Sequence, residues 1–75
     1  MKISYDSEVD ALSIVFIDTT VTTLQVAEGV AIDYAADGRV AGIEILDALR
    51  NFGSADVLRR IEIENLLPSP TPAAP

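Results

Sequence analysis

The Asp37-Gly38 pair, flanked by "VAIDYA" and "RVAGIEIL", constrains the fold of this chain more than any other stretch. Gly lacks a Cβ and Asp tolerates the left-handed region, so the pair suits a two-residue type I′ turn. Folding about it pairs Ala36 with Arg39, Tyr34 with Ala41, Ile32 with Ile43 and Val30 with Ile45. The large apolar groups then meet on one face, while Ala31, Asp33, Ala35, Val40, Gly42 and Glu44 take the other. A one-residue slip would move Ile43 and Ile45 to that second face, so pattern and turn chemistry specify the same register.

Upstream, "KISY", "DSEVD" and "ALSIVFID" read as strand, tight acidic loop and strand. Ile3 and Tyr5 share one parity, and Leu12, Ile14 and Phe16 share another that reaches the same core face. Val15 and Ile17 lie on the reverse face. The Thr- and Val-rich "TTVTTLQVAEG" supplies either a short edge strand over Thr22 to Val26 or an irregular crossover. Beyond the second hairpin, Asp47 or Ser54 suits the cap of a short helical turn. A helix is expected to run through about Arg60. The continuation "RIEIENLL" fits both helical spacing and strand alternation, and the prolines of "PSPTPAAP" predict an extended mobile tail. The expected architecture is α+β: a small antiparallel sheet of about four strands built from two hairpins, with a short C-terminal helical segment. One compact domain is expected over residues 1–66 and a Pro-rich flexible tail over 67–75.

The chemistry open to this chain is narrow. It contains no Cys, His or Trp, which removes disulfides, thiolate nucleophiles, imidazole bases and the usual transition-metal ligands. Twelve acidic residues against five basic ones give a net charge of -7, which repels phosphate backbones and anionic membranes and favours a basic protein partner. Neither nucleic acid nor membrane is an expected partner. The opening "MKISYDSEVD" lacks the apolar stretch of a signal peptide, and no apolar run has the length to cross a bilayer, so a cytoplasmic location is expected.

Candidate sites are carboxylates. Asp33, Asp37, Gly38, Val40 and Glu44 occupy positions 1, 5, 6, 8 and 12 of a twelve-residue calcium-loop count, yet Ala35 and Ala41 stand at positions 3 and 9 and the flanks favour strands. Solvated hairpin charges are the expected state, and no metal ligand is assigned. Asp6, Glu8 and Asp10 crowd the first loop, where Asp6 is expected to accept local backbone hydrogen bonds and set the turn. Asp33 with Glu44 is a possible acid-base pair, but Ser4, Ser13 and Ser54 have no His base, and no catalytic residue or cofactor is assigned. Gly42 suits a bulge or a close approach on the reverse face. Arg39, Arg50, Arg59 and Arg60 are expected to balance local acids as surface ion pairs. Val15, Ile17 and Val40 on the second sheet face serve either as a homodimer contact or as packing beneath Val57, Leu58 and Ile61; the C-terminal segment is the other route to a homodimer.

Two stretches, "MKISYDSEVDALSIVF" and "GVAIDYAADGRVAGIEILDA", resemble the signature stretches of a small uncharacterised bacterial family, domain of unknown function 2283. The resemblance rests on Lys2 to Tyr5, on Asp6, Glu8 and Asp10 before Ala11-Leu12, on Gly29, Asp33-Tyr34 and Asp37-Gly38, and on Gly42 to Asp47. Similar proteins commonly carry a further acidic residue after Tyr34, where this chain has Ala35. The resemblance implies a compact β-rich protein without an assigned reaction, and some similar proteins look like neighbours or partners of toxin-like small proteins. The expected function is accordingly a small acidic non-enzymatic protein-interaction or structural module, with an antitoxin-like role as one form of it. The alternative is a divalent-cation module using the acidic hairpin residues.

Overall fold

The computed structural model describes residues 1–70 and forms one five-stranded antiparallel sheet: β1 Lys2–Asp6, β2 Ala11–Val15, β3 Val21–Ala27, β4 Val30–Ala35 and β5 Val40–Ile45, in the order β1-β2-β5-β4-β3. A five-residue helix α1, Ala48–Phe52, and a 3₁₀ turn, Ala55–Arg59, follow the sheet. The α+β architecture expected from the sequence is therefore present, with one strand more than the two hairpins alone supply. The additional strand is the Thr-rich stretch, which lies along β4 as an edge rather than as a crossover.

The second hairpin keeps its core register but turns differently. Val30 faces Ile45, Ile32 faces Ile43 and Asp33 faces Gly42, as the apolar pattern requires. The loop holds three residues, not two: the Ala35 amide donates to Arg39 O (2.9 Å) and the Gly38 amide to Ala35 O (2.9 Å). Gly38 is left-handed (φ 86°), whereas Asp37 is not among the residues of positive φ. A type I turn followed by a left-handed Gly is the usual three-residue hairpin solution. The larger loop displaces the register by one, so Tyr34 faces Val40 instead of Ala41, and a bulge between Asp33 and Tyr34 restores the offset before Gly42. The apolar alternation kept the register, and the strand absorbed the mismatch.

The bulge serves the topology. Between β2 and β3 the chain must cross the ends of β5 and β4, and it leaves β2 with the amides of Phe16 and Ile17 both donating to the Ala41 carbonyl (2.7 and 3.0 Å). Ala41 is consequently buried. Beside it, a Cβ on Gly42 would stand 2.8 Å from the Ile14 carbonyl oxygen, a backbone atom that cannot yield readily. The close approach expected at Gly42 is thus made by the neighbouring strand.

The helical segment expected to run through about Arg60 is present as α1 and a 3₁₀ turn that ends at Arg59. Ser54 caps the turn by accepting from the Asp56 amide (3.1 Å), but the turn is 3₁₀ and Arg60 is already extended (φ -138°). Ile61 to Asn65 belongs to neither helix nor strand. Of the tail expected over 67–75, residues 71–75 lie outside the described residues.

Candidate interaction surface

The pairing registers sort the strand residues onto two unlike faces. Ile3, Ile14, Ile43, Ile32 and Leu24 oppose one another in sequence across all five strands. Tyr5, Leu12, Ile45, Val30 and Ala27 form a second row, with Tyr34 and Val40 beyond the first. No charged residue falls in these rows. Each carboxylate borne by a strand, Asp6, Asp33 and Glu44, lies on the reverse face together with Ser4, Ser13, Thr23 and Gln25.

This apolar face is poorly covered. Phe52, Val57, Leu58 and Ile61 approach only its β1-β2 end, enclosing with Ile3, Tyr5, Leu12 and Ile14 a groove of about 270 Å³. Among the described residues, none from β3, β4 or β5 lines that groove. Leu24 remains 57% exposed, Val40 42% and Ile3 39%, and the buried apolar residues are three alanines, Ala31, Ala41 and Ala48. No large side chain is fully buried among the described residues. Folded domains ordinarily bury their Ile, Leu and Val groups.

The faces expected for the C-terminal segment and for Val40 are therefore corrected. Val57, Leu58 and Ile61 sit over the Ile3-Ile14 face, not over Val15 and Ile17. Val40 leaves the second face for the apolar one because the bulge inverts its parity and sets it opposite Tyr34. Val15 remains on the reverse face, opposite Gly42.

The carboxylates separate into unlike environments. Asp33 accepts from the Thr23 hydroxyl (2.5 Å), and Glu44 lies diagonal to it, opposite Ala31 and Ser13. Partial burial raises the Glu44 carboxyl above its ordinary range, and the Asp33 charge and hydrogen bond raise it further. Asp37 is occupied at the turn, accepting from the Arg39 amide (3.1 Å) and its Nε (2.7 Å). The structure thus brings together two of the three acids of the calcium-loop count. No cluster of three or more acids able to hold a metal occurs among the described residues.

In the first loop, Asp6 Oδ1 accepts from the Glu8 amide (2.9 Å), the turn-setting role expected of it. Ser4, Tyr5, Asp6, Ser7, Glu8, Ala11 and Ser13 line a shallow depression there that opens widely to water. It lacks the apolar wall that would separate the pKa values of paired acids. The four arginines pair locally, Arg39 with Asp37, Arg50 with Asp47, Arg59 with Asp56 and Arg60 with Glu62, all with exposed side chains.

Asp10 has a role that no sequence signal disclosed. It adopts a left-handed backbone (φ 53°), and its Oδ1 accepts from the Tyr5 hydroxyl (2.7 Å) and from the Leu49 amide (3.0 Å). Its carbonyl accepts from the Ala48 amide (3.0 Å). Asp47 holds the N-cap position but makes no side-chain cap bond and pairs with Arg50 instead. Thus a residue 39 positions upstream satisfies the first amides of α1, groups that a helix cannot satisfy internally. The Asp10 hydrogen bond holds the Tyr5 phenol above its ordinary pKa, with partial desolvation and the Asp10 and Asp6 charges acting in the same direction.

A family model described as "Protein of unknown function (DUF2283)" matches residues 2–48, the five strands and the start of α1. No curated protein matches the chain, and no solved structure does.

Proposed function

Since this chain belongs to the DUF2283 family, whose description assigns no activity to inherit, we propose from its own residues that it is a small non-enzymatic protein-interaction module. Its working surface is the apolar sheet face centred on Ile14, Ile43 and Ile32. The observation that carries this reading is that no large side chain is fully buried among the described residues, although an uncharged apolar band crosses the whole sheet. An exposed apolar patch rimmed by polar groups is the ordinary mark of an interface.

The antitoxin-like form of this role adds a basic protein. The net charge of -7 and the confinement of the strand acids to the reverse face make that face the one to attract it. Affinity capture with the full chain, followed by mass spectrometry, tests the reading at residue level. A partner lost with Leu24→Lys/Val40→Lys assigns binding to the apolar face. A partner retained by that variant and released by moderate salt assigns it to the acidic face. Capture indifferent to both overturns the reading.

A further inference from the structure

We propose that the occupant of the apolar face is a second copy of this chain, packed face to face as a two-layer β-sandwich; this deepens the interaction-module reading and rests on it. A lone sheet with one apolar face reaches a stable fold by covering that face with another layer. The chain's own covering layer stops at β1 and β2, leaving Leu24, Val30, Ile32, Tyr34 and Val40 of the β3-β4-β5 half for another molecule.

Charge favours the copy over a basic partner. At -7 the chain repels itself wherever its acids meet. In a sandwich closed on the Ile3-Ile14-Ile43-Ile32-Leu24 row, every strand carboxylate points outward on the reverse face. A basic partner steered by charge has nothing to attract it on the uncharged face. Two identical uncharged faces can close about a twofold axis without burying an ion.

Area agrees with this choice. A monomeric protein of 8.0 kDa exposes about 4,500 Å², whereas this chain exposes 6153 Å². The surplus of about 1,700 Å² is shared between the open sheet face and residues 60–70, which form neither helix nor strand; a standard stable interface buries roughly 800 Å² on each partner.

The test uses the full chain in sedimentation equilibrium with light scattering. The expected species is a dimer of roughly twice the 8.0 kDa chain mass. Leu24→Lys/Val40→Lys should weaken the dimer at least about 100-fold, because closure would bury unpaired ammonium groups. Both positions are exposed in the single chain, and added lysines lower the net repulsion, so dissociation cannot be blamed on charge accumulation. Gln25→Lys adds one positive charge on the reverse face and should leave the dimer intact. Amide exchange of the β4 and β5 residues distinguishes a dissociated fold from an unfolded one.

A dimer that survives Leu24→Lys/Val40→Lys places the contact elsewhere, the uncharged β3 edge being the alternative, and overturns the proposal. A monomer at high micromolar concentration overturns it as well. If that monomer still captures a protein through Leu24 and Val40, the interaction surface stands and self-association alone falls. If capture ignores both those residues and moderate salt, both readings fall.

Discussion

Glu44 shows how a single residue can be stable and still be under tension. Its carboxyl lies partly desolvated on the reverse face, diagonal to Asp33, and its pKa is raised for those reasons. A raised folded-state pKa means that the protonated form is favoured by folding. The associated stability is present below the ordinary glutamate value of about 4.5 and is lost as pH rises through the higher folded-state value. Glu44→Gln should therefore stabilise the fold at pH 7, by about 0.5 kcal/mol on the scale of cross-strand like-charge pairs. It should do little at pH 4. Thermal unfolding of the two proteins at both pH values checks this, and an equal gain at pH 4 would remove the electrostatic cause.

At the scale of elements, the first hairpin and α1 are joined through Asp10. A helix of five residues has little intrinsic stability, so the bonds from the Leu49 and Ala48 amides to Asp10 decide whether it stays docked. Asp10→Ala removes the carboxylate and places an alanine in a left-handed backbone, and it should cost about 2 kcal/mol from the cap and the strain together. Asp10→Asn keeps an accepting oxygen and tolerates that backbone, so it should recover most of the loss. It should also let the Tyr5 phenol titrate nearer its ordinary value, since a neutral amide replaces the charge beside it. Denaturant unfolding and an absorbance titration of Tyr5 measure the two effects separately. If Asp10→Ala leaves both stability and Leu49 amide exchange unchanged, Asp10 does not anchor the helix.

For the whole molecule, no large side chain is fully buried among the described residues, and the proposed dimer would supply the missing cover. A dimer that buries the apolar face should have a melting temperature that rises with protein concentration, because dissociation and unfolding are then one equilibrium. Differential scanning calorimetry over a hundredfold concentration range should show a shift of several degrees. A constant melting temperature would mean that the sheet is stable with its apolar face open.

What the sequence determined by itself was local. The alternation of Val30, Ile32, Ile43 and Ile45 set the core register of the second hairpin, Gly38 marked its turn, and Asp6 and Ser54 made the backbone bonds their positions foretold. These features depend on residues within a few positions or on a period of two, and both can be read along a chain. The tertiary structure decided the strand order, and with it the bulge at Ala41, the passage of Val40 to the apolar face and the bonds from α1 to Asp10. Those depend on where the chain crosses between β2 and β3 and on pairs remote in sequence. A two-residue periodicity carries no record of such a crossing. It can say that residues share a face, but not which segment covers it or how much of it stays open.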